Sequence, residues 1–438
     1  KRIVSILLTG SMLLSLLPVS ALAAAPVFDA PAQTTAKKAA PLVQEADASR
    51  STEEEAATRS SRDLDAENGT AESITIDLNA YGTPAGSGDS GHWECGNATS
   101  FNLHLQQGTF TLQPSSEPGA ISALQADLYI LENAKFNGGT VGDYTYNYGT
   151  ISDGTFQGDV NNYNTISNGT FQRDVNNYNT ISNGTFQRMV FNNGTISGGS
   201  FLGDMNNWGT ISGGIFLGGY NYQTISGGTF QGMVGNTGTI SGGTFQGESY
   251  NFSGTISNGT FQGILHNDSG TISGGTFEKC VTLKRSDTPI TISNGLFNGE
   301  VVAEECYAPL SISGGLFTNA VDVSSTDPSK LSITGGYFVN EPTMPEGSDI
   351  AFTTVSDQSC RAFHVRVNGD FSENGYSKLY VPRGSSEQPN TITVKTNTKL
   401  LYYLADGERF PVPDSNGDSY IYEIPVQGYE KIVLVTEE

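Results

Sequence analysis

Three sets of residues recur between positions 148 and 277 at spacings that would bring like side chains together. The first is aromatic. Tyr148, Tyr163, Tyr178, Trp208 and Tyr222 each stand three places before an isoleucine, with Asn193 inside the series and Thr237, Ser253 and Ser269 closing it. Rings with an apolar face and a polar edge suit stacking on sugar rings or partner chains, and equally suit packing on one another over a corner. The second set is acidic: Asp159, Asp174 and Asp204 each follow a phenylalanine by three places, with Met189 between them and Arg173 alongside. If one repeat is one turn of a stacked fold, Asp159 and Asp174 lie about 5 Å apart. Retaining glycosidases hold their carboxylate pair at that separation, and oxygen-rich Ca²⁺ sites begin the same way. Two carboxylates on a corner are also commonly just solvated. The third set is a run of hydroxyls, Thr150/Ser152, Thr165/Ser167, Thr180/Ser182 and onward to Thr271/Ser273. A flat Thr-x-Ser array resembles the face of ice-binding proteins, and β-propensity alone also places threonine on an exposed strand. The four histidines (92, 104, 266, 364) are scattered, and neither a nucleophile–base triad nor a phosphate loop is visible. The expectation is no catalytic residue, no metal site and no cofactor.

What must position these residues is the repeat itself. Isoleucines fall at 151, 166, 181, 196, 211, 225, 240, 256 and 272, and a phenylalanine follows each by five places. A unit this short cannot bury its apolar side alone and needs neighbours above and below. Period-two alternation sends Ile inward in T-I-S and Phe inward in T-F-Q. A third inward position four places after the Phe holds Val160, Val175, Val190, Met205, Tyr220, Val234, Leu265 and Val281, with Ser249 the exception. Asp-Gly, Asn-Gly or Gly-Gly separates the first two strands, as a tight corner with positive φ demands. Asn161-Asn162, Asn176-Asn177 and Asn206-Asn207 recur at another corner, where stacked amides can form ladders. The fold class is therefore all-β, a parallel β-solenoid with coils of ~15 residues lengthening to ~20.

The flanks complete the organisation. A basic start, an apolar run and Ala21-Leu22-Ala23 read as a signal peptide over 1–23, so the mature chain is expected to be exported without membrane insertion. Residues 24–70, rich in Ala, Glu, Ser and Thr, read as a disordered linker. Residues 71–147 read as an N-terminal cap with irregular coils, residues 148–345 as the regular solenoid, and residues 346–438 as a separate C-terminal β-sandwich. Four cysteines (95, 280, 306, 360) show no metal spacing. Cys280 and Cys306 fall in successive coils and are candidates for a disulfide, whereas Cys95 and Cys360 flank the solenoid at opposite ends and should not pair with each other. Net charge is −23, yet residues 148–277 carry only six acids and two bases. That balance argues against nucleic acid and anionic membrane as partners.

The phrase GTISGGTFQG (238–247) resembles the glycine-rich repeats of secreted bacterial β-solenoid (parallel β-helix) surface proteins, many of them adhesin-like. The likeness covers residues 148–345. It implies a non-catalytic adhesion or binding rod, secreted or on a bacterial cell surface, with glycans or host and matrix surface proteins as partners. The same architecture hosts polysaccharide lyases and glycosidases, which is the alternative, with an ice-binding solenoid a third. The expected ligand-binding residues are Tyr148, Tyr163, Tyr178, Trp208 and Tyr222.

Overall fold

A computed structural model describes residues 73–437 apart from 85–91, 96–101, 117–118, 120, 285–287, 305, 359–362, 368–369, 372–374, 385–390 and 416–419. The expected signal peptide and linker lie outside the described residues, as do Cys360 and the side chain of Cys95.

Each copy of the repeat is one coil of a parallel β-solenoid with three short strands. Thr165–Ile166, Thr170–Phe171 and Val175–Asn177 form one such coil. Each strand pairs without offset with its counterparts above and below: Ile166 with Ile151 and Ile181, Phe171 with Phe156 and Phe186, Val175 with Val160 and Val190. In-register stacking puts identical side chains on top of one another, so the interior is a set of columns. The phenylalanines from Phe156 to Phe338 stack with ring centroids 4.5–5.0 Å apart, which is the strand spacing of a sheet. Between the first two strands Gly169 has φ 130°, and a Cβ there would come within 3.2 Å of the Phe171 ring. The corner therefore needs glycine for both its dihedral and its space.

The second asparagine of each pair turns inward. Asn147, Asn162, Asn177, Asn192, Asn207, Asn221, Asn236, Asn251 and Asn267 are fully buried, and from Asn147 to Asn251 each Nδ2 donates to the Oδ1 of the next at 2.6–2.8 Å. The remaining amide hydrogen holds the corner: Asn162 Nδ2 donates to Asn164 O at 3.0 Å and Thr180 O at 3.1 Å. A buried carboxamide with its groups paired is tolerated in an apolar core, where an unpaired one costs 1–3 kcal/mol by order of magnitude, roughly.

One inward assignment differs from the sequence reading. Gly219, not Tyr220, occupies the third inward slot, in register with Met205 and Val234. The coil from Ile211 to Ile225 is one residue short, so counting four from Phe216 oversteps by one. Tyr220 instead faces out, 40% exposed. In the early coils, Phe110 and Phe136 stack beneath Ile151 in the isoleucine column, and Val141 underlies Phe156. Ser249 does take the third inward slot and is buried, its hydroxyl unpaired among the described residues.

The later coils leave the solenoid at one corner. Val281–Lys284 and Val301–Glu304 run on past the usual three-residue strand before the chain returns at Ile290 and Leu310. There Leu283 and Ala303 continue the column above Asn267, so the ladder stops where the tight corner stops.

After Phe338 the chain builds two sheets with a second core between them, including Val355, Leu379, Val394, Ile424 and Leu434. One sheet holds Phe352–Asp357, Lys378–Pro382, Leu400–Ala405, Glu408–Pro411 and Lys431–Thr436; the other holds His364–Val367, Asp370–Phe371, Thr391–Lys395 and Ile421–Pro425. The C-terminal sandwich is joined to the rod. Tyr380 pairs antiparallel with Phe338, and the Phe352 ring meets the Phe338 ring edge-on at 5.6 Å. An end coil presents unpaired backbone groups and must be covered.

Candidate functional site

The expected ligand residues do form a strip, and the asparagine ladder positions it. The residue after each ladder asparagine donates its N–H to the ladder asparagine one coil below: Tyr163 to Asn147 O, Tyr178 to Asn162 O, Trp208 to Asn192 O, Tyr222 to Asn207 O. Tyr148 stacks on Tyr163 at 4.8 Å and 5°, Tyr163 on Tyr178 at 5.0 Å and 7°, and Trp208 on Tyr222 at 5.0 Å and 6°. These rings cover one another's faces. What they offer outward is edges, phenol hydroxyls and the indole N–H.

The same register replaces Ser253 in the strip by Phe252, whose N–H donates to Asn236 O. That coil is one residue longer than the common length, so counting back from Ile256 misses it. A second aromatic column two residues earlier went unrecognised in the sequence. It runs His104, Tyr129, Tyr146, then Phe191, Tyr220, Tyr250 and His266, with centroids 4.5–4.8 Å apart where neighbours are both rings. The two columns mesh. Where Asn193 interrupts the first, Phe191 leans to 6.3 Å from Trp208; Tyr220 sits 6.5 Å from Tyr222, and Tyr250 6.0 Å from Phe252. Gly235 makes room, since a Cβ there would lie 2.6 Å from the Tyr220 ring and 3.1 Å from that of Phe252. The available signal was the aromatic-x-aromatic spacing of 146/148, 220/222 and 250/252.

Beside the strip, apolar residues replace the usual Thr, Gln and Asp. Leu202, Ile215 and Leu217 face out from the T-F-Q strands and Met233 from the next corner, 47–56% exposed. The short coil opens a notch of about 250 Å³ here, lined by Asp204, Leu217, Tyr220, Met233 and glycines 218, 219 and 232.

Asp159 and Asp174 fall on adjacent coils as expected, flanking the bond from Val160 N–H to Asp174 O. They sit half-exposed, and among the described residues neither is within 4.0 Å of Arg173 or any other cation. Asp204 is separated from them by Met189. The serine column spends its hydroxyls internally: Ser182, Ser212 and Ser226 donate to Ile166 O, Ile196 O and Ile211 O at 3.2–3.3 Å. In the threonine column beside it, Thr165 and Thr180 donate to Asn164 Oδ1 and Asn179 Oδ1 at 3.1 Å. Among the described residues no group of three or more His, Cys, Asp or Glu is placed to hold a metal ion.

His266 gathers a polar cluster that the sequence left scattered across coils. Its Nδ1 lies 2.8 Å from Thr282 Oγ1, its Nε2 4.0 Å from Glu248 Oε2, and Tyr250 donates to Glu248 at 3.0 Å. Burial, then Lys284, hold the imidazole below its ordinary pKa, while Glu248, Asp268 and Glu304 oppose them. Burial raises the Asp268 carboxyl.

Cys280 and Cys306 are free, which corrects the expected bridge. Val281 pairs with Val301, so Glu300 is the residue stacked on Cys280. Cys306 lies beyond the far end of that strand, with Sγ toward Ala308 O at 3.8 Å. Successive coils bring residues together only at equal register. Burial raises both thiols, helped at Cys280 by Glu300 and Glu304.

No family model, curated protein or solved structure matches the chain. What is established is a β-solenoid repeat protein with an asparagine ladder and a phenylalanine stack.

Proposed function

We propose that the protein is an exported bacterial binding rod, without catalysis, whose contact surface is the aromatic strip together with the apolar patch around the short coil. One observation carries this reading. Leu202, Trp208, Ile215, Leu217, Tyr220, Tyr222, Met233 and Phe252, each 40–56% exposed, are concentrated in about four successive coils, and Tyr163 and Tyr178, 36% and 48% exposed, extend the strip on the coils before them. A rod needs no such residues to fold, because its inward columns are already filled, and contiguous exposed apolar surface marks contact sites. The repeat phrase's likeness to adhesin-like surface proteins points the same way. Glycans or matrix proteins laid along the rod would meet ring edges, tyrosine hydroxyls and aliphatic side chains. Binding of the protein to a glycan array and a panel of matrix proteins, set against a Tyr163→Ala/Trp208→Ala variant, tests it. Unchanged binding by a variant that melts normally removes the strip from the surface.

A polysaccharide-active enzyme is the second reading, favoured only by Asp159 and Asp174 on neighbouring coils. It requires release of reducing ends or unsaturated sugars that Asp159→Asn abolishes.

A further inference from the structure

One cavity lies away from the rod. It is a cleft of about 720 Å³ in the C-terminal sandwich, walled by the hairpin Leu400–Ala405/Glu408–Pro411 and by the segments leading from it and into the strand Ile421–Pro425. Ligand clefts are commonly 300–1,000 Å³ by order of magnitude, roughly, with mostly apolar walls and a few converging polar groups.

Local structure builds this one deliberately. The pairing between Leu400–Ala405 and Lys431–Thr436 slips by one residue between Leu400 and Tyr402. Such a bulge re-aims side chains, and here it turns Leu401 outward, 46% exposed, next to a half-buried Tyr402. The Arg409 guanidinium, from the facing strand, lies over the Tyr402 ring with Cζ 3.9 Å from the centroid. A planar cation seated on an aromatic face keeps its edge N–H groups free and pre-aimed. Lys399 adds an ammonium to the rim. On the floor lies Tyr422, a residue 3% exposed, whose hydroxyl accepts the Leu400 N–H at 3.0 Å. Its own proton has no acceptor among the described residues. Two cations and a spare buried donor face one acid, Asp414.

Those groups ask for a ligand that accepts bidentate hydrogen bonds and carries negative charge, with an apolar ring face to lie against Tyr420, 40% exposed. A peptide strand is a poor fit. The rim continues as Pro411-Val412-Pro413, where two of three residues lack the N–H that a ladder requires. A saccharide needs only side-chain contacts.

We propose that this cleft binds an acidic saccharide, with the uronate carboxylate held by Arg409 and Lys399 and a ring hydroxyl or carboxylate oxygen accepting from Tyr422. The site is independent of the aromatic strip.

Titration of the full chain with trigalacturonate and with maltotriose by calorimetry tests the proposal. Trigalacturonate should bind and maltotriose should bind at least about tenfold more weakly, with the difference shrinking as salt rises. Arg409→Ala should weaken trigalacturonate about tenfold or more, and Arg409→Lys should fall between, because it keeps charge and loses the fork. Tyr422→Phe should cost a few-fold, roughly. Equal binding of the two trisaccharides, or trigalacturonate binding untouched by Arg409→Ala in a protein of unchanged melting temperature, overturns it. Trigalacturonate binding that Trp208→Ala removes and Arg409→Ala leaves unchanged belongs to the aromatic strip and overturns the cleft proposal, while its loss in Arg409→Ala supports the cleft whatever becomes of the rod reading.

Discussion

Asn192 shows no exposed surface and sits mid-way in a chain of amides that all point the same way. Replacing it with leucine strands the Asn177 donor below and the Asn207 acceptor above, so the cost should be about 3 kcal/mol. Asn267 is different, because its Nδ2 already lacks a partner among the described residues and Leu283 is the next residue in its column. Asn267→Leu should cost about 1 kcal/mol or less. Urea or thermal unfolding of the two variants checks the contrast, and equal losses would mean that the ladder is not cooperative. His266 supplies a pH dependence. Its folded pKa lies below the ordinary 6.5, so on acidification the unfolded chain takes up the proton first. Stability from this residue is present above about pH 6.5 and lost as pH falls toward the folded value. The melting temperature should therefore drop between about pH 7.5 and pH 5 more in the wild type than in His266→Gln. Asp268 has the opposite sign. Its raised carboxyl favours the folded state below the model-compound value of 3.8, a contribution lost as pH rises through the folded value. Asp268→Asn should accordingly raise the melting temperature at neutral pH.

Between residues and rod stands the single coil, and its length decides what it can display. A coil of 15 residues closes each corner tightly, and the buried asparagine is the clamp on one of them. One residue fewer gives the notch at Gly218 and Gly219. One residue more shifts Phe252 into the strip. Five or six more release the chain into loops, and the clamp is replaced by Leu283 and Ala303. Gly219 carries the strain of the short coil, with φ 144° and no room for a Cβ against the Met205 carbonyl. Gly219→Val alone should destabilise by about 2 kcal/mol or more. The same change with one glycine inserted after Leu217 restores the common length and should recover most of that loss. Thermal unfolding of the pair decides whether length or composition makes the notch.

The whole molecule is held by nearest-neighbour stacking, so its weak points are its ends. At the C-terminal end, the strand Lys378–Pro382 and the Phe352 ring cover the last coil, and Tyr337 and Val339 reach from that coil into the second core. A chain ending at residue 345 would leave the Leu331–Phe338 edge open and those side chains bare. It should self-associate with rising concentration in light scattering, under conditions where the full chain does not. A monodisperse truncated rod would show that the sandwich is appended for another purpose.

The inward Ile, Phe and Val columns, the glycine corners and the existence of an aromatic strip were legible because in-register stacking turns a linear period directly into a column. No long-range folding decision intervenes between Ile151 and Ile166. Assignments failed where the period did. Tyr220 and Ser253 were misplaced by coils one residue short or long, since only the backbone pairing says where a deletion or insertion is absorbed. The early coils lack the repeat that sets register, so only the pairing shows that Phe110 and Phe136 underlie Ile151. The second aromatic column, the His266 cluster and the separation of Cys280 from Cys306 depend on which residues share a rung, and the cleft at Arg409 depends on antiparallel pairing across turns of unrelated sequence. Sequence by itself determined what each coil buries. The tertiary structure decided which exposed side chains become neighbours, because outward positions carry no period and meet only through the register of the stack.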